Sequence, residues 1–422
     1  MGKGGDSAPK TDKPHELLIR GRLYDVSNFT HPGGSIIKFL TDGGDATEAF
    51  VEFHGRLKKA ELILKSIPSR PAPASVMKTR GYNGKEALSK DYLALREELE
   101  KEGYFDPAPS HVAYRVAEIV AMHALGAYLF MAFDSLVVKA LGVFVLGVVS
   151  GRCGWLMHEG GHYSLTGVPA VDRALQIALY GIGCGMSAAW WRNQHNKHHA
   201  TPQKLKHDVD LDTLPLVAFN AAIAQKAKNP VLKWWLRNQA LLFTPVSCLI
   251  VALGWQYYLH PRHIVRTKRL HTEGLMLVLR HLLLYGVVFK GFSFGSAFGL
   301  FLIYNCIASS YIFSQFAMSH THLPVSKPDE FLHWAEYGSN HTTNIKNNFM
   351  VNWFMGYLNF QIEHHLFPSM PQFRHPIVSP RVKALFLKHG LTYDERPYFS
   401  CLMDTWRNLH EVGQSVDEKK KA

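Results

Sequence analysis

Apolar positions in this chain gather into long runs, and polar, histidine-rich stretches separate them. The runs at 113–133 and 136–157 are each long enough to cross a hydrocarbon core of about 30 Å at about 1.5 Å per residue. Only Asp134-Ser135 parts them, which predicts a hairpin. Arg115 and Glu118 stand one turn apart near its entry and are expected to pair. Three further runs follow at 240–259, 273–289 and 294–318. Between the first two of these lies Pro261-Arg262-His263-Ile264-Val265-Arg266-Thr267-Lys268-Arg269, a basic segment that belongs on the cytosolic side. If the histidine stretches share one side, an even number of runs must span. The pattern therefore predicts 273–289 and 294–318 as a second hairpin and leaves 240–259 interfacial. Pro245 and the aromatic end Trp255, Tyr257, Tyr258 agree with that placement. Residues 171–190 carry Gly181, Gly183 and Gly185 and read as an interfacial or protein-buried helix.

Nearer the N-terminus the period changes. Leu17-Leu18-Ile19 and Arg22-Leu23-Tyr24-Asp25-Val26 read as short strands about a Gly21 turn. Ser35 is placed to cap a following helix. A Pro- and Gly-containing linker at 67–85 leads to an amphipathic helix, Ser89 to Glu102, with Tyr92, Leu93, Leu95 and Leu99 on one face.

The chain has 422 residues, 47% of them hydrophobic, a net charge of +12 and a mean hydropathy of -0.07. That average is too polar for a many-span transporter. No nucleic-acid module accompanies the basic charge, so it points to a membrane surface. Five cysteines stand singly, which excludes a disulfide framework and a thiolate metal site. Residues 1–14 lack the apolar core of a secretory signal and read as a disordered tail.

The candidate chemistry lies in histidines. His195, His198 and His199 stand at i, i+3 and i+4, offsets that share one helix face. His158 and His162 repeat the i, i+4 offset. Gln361, His364 and His365 repeat the triplet with glutamine in the first place. Seven histidines exceed the three or four ligands of one zinc, so the natural reading is a two-metal site. His320, at the end of the last apolar run as His158 is at the end of the second, is a further ligand candidate, with His322 behind it. The carboxylates of His207-Asp208-Val209-Asp210-Leu211-Asp212 are placed either to orient metal-bound imidazoles or to form a solvated loop. A separate pair, His31 in His-Pro-Gly-Gly and His54, faces a pocket expected to include Phe39, Leu40, Phe50 and Phe53. Two such histidines can ligate a haem iron from both sides.

The region 15–75 resembles the cytochrome b5 domain, in which the histidine of HPGG and a second one this far on are the axial ligands. The whole chain resembles a cytochrome b5-fusion, front-end fatty-acyl desaturase: HPGG, two apolar hairpins and three histidine boxes in order. Glutamine in the third box marks front-end enzymes. Glu159 stands where aspartate is usual, and the His-Glu-Gly-Gly-His run is similar to algal and protist polyunsaturated delta-5 enzymes.

The resemblance implies an N-terminal α+β haem domain and an all-α membrane domain of four transmembrane helices under a cytosolic helical cap. The implied divisions are a tail at 1–14, the haem domain at 15–75, a linker and amphipathic helix at 76–110, the desaturase domain at 111–405 and a charged tail at 406–422. It implies haem b on His31 and His54. It implies two non-haem irons on His158, His162, His195, His198, His199, His320, His364 and His365, with Gln361 beside them. Dioxygen would be co-substrate, and electrons would come from NADH through a cytochrome b5 reductase, relayed by a haem swinging on the linker. The substrate would be a membrane lipid or acyl-CoA, desaturated at delta-5, with delta-4, delta-6 or delta-8 and sphingolipid desaturation or hydroxylation as alternatives. The lysines at 419–421 resemble an endoplasmic-reticulum retrieval signal. Two other readings compete: His158-Glu159-Gly160-Gly161-His162 fits a zinc-protease HExxH pattern, and His31 with His54 alone fits a membrane haem carrier. Neither uses the remaining box histidines.

Overall fold

The computed structural model describes residues 15–34, 36–37, 40, 43–80, 84–211 and 213–417. The tail expected at 1–14, Ser35, Phe39, Asp212 and the lysines at 419–421 lie outside the described residues.

Strands β1 (Glu16–Ile19) and β2 (Arg22–Asp25) pair antiparallel, with Ile19 opposite Arg22. Arg20 and Gly21 both take positive φ, 49° and 71°, as a two-residue hairpin with the native strand twist requires. A third strand, β3 (Ser69–Pro71), returns from the expected linker to pair with β2. Helices α1 (Thr47–His54) and α2 (Lys58–Ser66) complete the unit, whose core includes Leu17, Ile19, Val26, Ala46 and Leu64.

This unit is docked on the rest of the chain. Ala49 of α1 shares a core with Leu88, Tyr92 and Leu99 of the linker helix Glu86–Lys101 and with Trp334, Ile362 and Leu366 beyond. The docking contacts are polar as well. Glu52 is fully buried, 3.2 Å from Arg96 Nε and 2.8 Å from the Tyr92 hydroxyl. The same hydroxyl lies 2.8 Å from the Leu366 carbonyl. Arg56 donates to the carbonyls of Phe105 and Ser369. An expectation based on linker length missed this, because length says nothing about what the linker helix buries.

Four helices are long and apolar enough to cross a membrane: Pro109–Ala132, Leu136–Gly161, Gln239–Arg266 and Phe294–Ala317. The first two form the expected hairpin. Arg115 does lie 3.6 Å from Glu118, which also takes Arg152 at 2.6 Å. Gly151 of the second helix faces the fourth so closely that a Cβ there would run into the Tyr311 ring. Small residues of this kind let membrane helices approach.

By length and apolarity alone the third such helix is Gln239–Arg266, the run expected to be interfacial, and not 273–289. The expected span is helical in three pieces, Leu270–Gly274, Leu275–His281 and Leu282–Val288, and carries Glu273 and Arg280. Both charges are buried and hydrogen-bonded to neighbours: Glu273 accepts from Ala189 N at 3.1 Å, and Arg280 donates to the Ile182 carbonyl at 3.0 Å. Protein contacts thus replace the apolarity that a sequence window looks for. The contacts at its ends still differ: Glu273 meets the helix that carries the second histidine box, whereas Phe289 packs 5.4 Å from Phe130, near the turn of the first hairpin. Gln239–Arg266 has Gln239 bonded to Ala218 and Leu409 and His260 bonded to Ser187.

At the C-terminus the helix Tyr398–Gln414 runs through the expected boundary at 405. Leu409, Val412 and Val416 are buried beside Leu236 and Ala218, so the charged-tail expectation fails for 406–417. Its buried positions Cys401, Thr405, Leu409 and Val412 recur every three to four residues on an otherwise polar helix.

Candidate metal centre

Each box comes from a different element. His158 ends the second membrane helix and His162 follows as its cap. His195, His198 and His199 lie on the helix Ala188–Ala200, which starts where Ser187 accepts from Trp190 N at 3.2 Å and the Glu273 carboxylate sits at the N-terminus. Negative charge at that end is favourable to the helix dipole. His364 and His365 lie on the short buried helix Gln361–Leu366.

The eight histidines meet in two groups. His158, His162, His195, His199 and His364 bring one ring nitrogen each within 4.8 Å of one another, and so do His198, His320 and His365. His199 stacks on His365 at 4.2 Å between centroids, so the groups adjoin. His195 and His199 point their Nε2 atoms at each other, 3.0 Å apart. Burial holds His195, His199, His364 and His365 well below the usual imidazole pKa, and their mutual repulsion adds to this. They are therefore neutral, the form that binds a metal. Both ring nitrogens of His364, Nε2 of His162 and Nδ1 of His365 have no hydrogen-bond partner though buried. Unsatisfied buried nitrogens are costly in a protein alone and fit a site built for metal ions.

Three rings have an outer partner on Nδ1. His198 bonds Asp208 at 2.9 Å, with Asp210 at 3.5 Å. Burial opposes a charge on His198, but these carboxylates outweigh it and raise its pKa to about 9. His320 bonds the His341 carbonyl at 2.9 Å, and His158 bonds the Gln372 amide at 2.8 Å. Such partners fix which nitrogen faces a metal. The orienting role, one of two readings open for the acidic segment, is the one the geometry favours for Asp208.

Not every histidine flagged by sequence joins, since His322 stands outside both groups. His341 supports His320 through its carbonyl and bonds Ser326 and Pro324. Glu159 is absent from both groups as well: its carboxylate takes the Gln372 backbone N–H and lies 3.9 Å from Arg115. It is not aimed as the base of a zinc protease would be. Gln372 and His375 were missed. His375 is fully buried, 6.1 Å from His364 between centroids. Neither residue repeats a box offset, so spacing carried no signal for them.

A cavity of 400 Å³ runs from the boxes into the membrane helices, with His158, His195, Gln361 and His364 on its wall beside Ser150 and Asn305. Ser150 is eight residues before His158 on one helix, about 12 Å along its axis. The cavity is of ordinary size for a ligand site.

In the N-terminal unit the His31 and His54 rings face each other at 86°, with centroids 6.0 Å apart. His54 Nδ1 bonds the Phe50 carbonyl at 2.9 Å, leaving Nε2 for a ligand. Two metal–nitrogen bonds of about 2 Å each fit that separation. The HPGG loop rests near the second box: a Cβ on Gly34 would lie 3.3 Å from Asn193 Oδ1.

Residues 134–397 match the fatty acid desaturase family, and residues 8–93 match the cytochrome b5-like heme/steroid binding domain. An acyl-lipid (8-3)-desaturase of Rebecca salina is 54% identical over 97% of this chain and 94% of its own. A protein of the same name from Thraustochytrium sp is 50% identical over the full length of both. The delta(8)-fatty-acid desaturase 2 of Arabidopsis thaliana is 28% identical over 95% of this chain and 90% of its own.

Proposed function

This chain belongs to the fatty acid desaturase family, with a cytochrome b5 domain fused at its N-terminus, and we propose the reaction, ligands and electron route that follow from that premise. It is a membrane oxidoreductase, a front-end acyl-lipid desaturase. The family implies two irons and the fused domain implies haem. We assign the irons to the eight histidines, five in one group and three in the other, and the haem to His31 and His54. The single observation that carries this reading is the convergence of three separated boxes and His320 on two adjoining groups of buried imidazoles.

Two irons, when bound there, supply the reduction of dioxygen that draws hydrogen from an unactivated methylene pair. In balance, dioxygen takes two hydrogens from the acyl chain and two electrons and two protons from elsewhere, and leaves as two waters. The chain's own residues do the rest. The cavity wall aligns the acyl chain and excludes water from the reacting carbons. Asp208 and the His341 carbonyl hold ring tautomers. His31 and His54 would hold the haem that supplies the two electrons singly, and an NADH-dependent cytochrome b5 reductase would reload it. The endoplasmic-reticulum membrane, with boxes and haem domain cytosolic, is the setting in which those partners meet.

The new double bond falls between the carboxyl end and an existing one. The His-Glu-Gly-Gly-His first box supports delta-5. Delta-8 is the second reading, favoured by the name of the plant relative. Yeast expressing the chain and fed single polyunsaturated acids tests both: mass spectrometry of the product locates the new bond. A bond on the methyl side of those present, or none with any acid, refutes the front-end reading.

A further inference from the structure

We infer that Gln372 is a positioning residue for the first metal group, setting the tautomer of His158; this rests on the reading of the box histidines as iron ligands. Gln372 opens the short turn Gln372–Arg374, six residues after the third box helix. It is 1% exposed, and so is His158. As placed, its amide nitrogen is the near atom, 2.8 Å from His158 Nδ1, and His158 Nε2 is left to face the other four histidines of the group.

Nε2 can bind a metal only with a free lone pair, so the ring proton must sit on Nδ1. The partner of Nδ1 must then accept. The two ends of a glutamine amide are assigned from the hydrogen-bond network and exchange by a half-turn. With its oxygen toward the ring, Gln372 accepts from His158 Nδ1–H. That is the role Asp208 has for His198 and the His341 carbonyl has for His320. Among the described residues no carboxylate or backbone carbonyl is given to His158 in this way.

The seat of Gln372 accounts for Glu159. The Glu159 carboxylate takes the backbone N–H of Gln372 at 3.4 Å and is itself held near Arg115 at 3.9 Å. One residue of the first box thus anchors the turn that orients its neighbour. The first and third boxes, more than 200 residues apart, are joined through this turn.

The test uses the full-length protein with haem and ferrous iron, read by chelator competition for the iron. Gln372→Glu keeps an oxygen toward the ring and should retain iron affinity. Gln372→Met matches the length but cannot accept as an oxygen does, and should bind iron about 10–100-fold more weakly. Parent-like affinity in Gln372→Met overturns the inference. So does equal loss in Gln372→Glu, which remains decisive if Gln372→Met fails to fold. His364→Ala separates this from the reading beneath it. If His364→Ala keeps its iron, the histidine groups are not the iron site. If it loses iron while Gln372→Met keeps it, the inference about Gln372 alone fails.

Discussion

The Tyr92 hydroxyl has one proton and two acceptors within 2.8 Å, Glu52 Oε1 and the Leu366 carbonyl. It can serve both only if Glu52 is protonated. Then Glu52 donates to Tyr92, and Tyr92 donates to Leu366 at the end of the third box helix. Burial raises the Glu52 pKa to about 7 in spite of Arg96, so about half of the molecules carry the proton at neutral pH. The perturbation is Tyr92→Phe. It leaves a buried carboxyl without its partner, while Leu366 keeps the Trp334 indole at 3.2 Å. One unsatisfied buried group costs about 1–3 kcal/mol, a shift of about 5- to 150-fold toward the undocked haem domain. Hydrogen exchange reads it: protection of Glu86–Lys101 should fall by that factor, while β1 and β2 serve as the unchanged control. The pH dependence has a definite sign. A carboxyl raised from 4.5 to about 7 favours its neutral form when docked. Docking is therefore strongest below about pH 4.5, weakens as pH rises to about 7 and is level above, by at most about 3 kcal/mol. Glu52→Gln keeps a donor to Tyr92 and should flatten that slope. Protection unchanged by Tyr92→Phe, or a slope that survives Glu52→Gln, would refute the relay.

Three further outcomes are expected. Residues 1–75 with His31→Ala and His54→Ala should lose the absorbance of bis-histidine haem; a normal spectrum in the double variant removes both as ligands. Deleting the haem domain should abolish most desaturation in cells without other cytochrome b5, with separate cytochrome restoring part; full activity after deletion contradicts delivery from the docked domain. Gln361→Ile should end product formation while sparing haem, because an apolar surface then faces the metal group, whereas Gln361→His should keep some; near-normal product from Gln361→Ile makes this residue packing only.

Box spacing made the histidine chemistry legible, because i, i+3 and i+4 offsets report a helix face whatever the tertiary fold does. His320 was legible through its place at the end of an apolar run. Asp208 was legible as a carboxylate near a box. Gln372 and His375 were not, since they reach the site on an irregular turn whose course depends on packing against the second membrane helix. Glu273 and Arg280 can lie within an apolar run because buried hydrogen bonds, invisible in a hydropathy window, hold both charges. Docking of the haem domain was equally hidden. Glu52 and Arg96 look like solvated helix faces, and Tyr92 like a plain apolar contact, until the two helices are brought together.

The central claim is that two groups of histidines hold two irons beside a haem carried by the same chain. Metal analysis of the purified full-length protein, with haem measured on the same sample, tests it most directly. The account expects two non-haem irons and one haem per chain, with the irons lost and the haem kept in His364→Ala. One zinc per chain, or haem without iron, would contradict it.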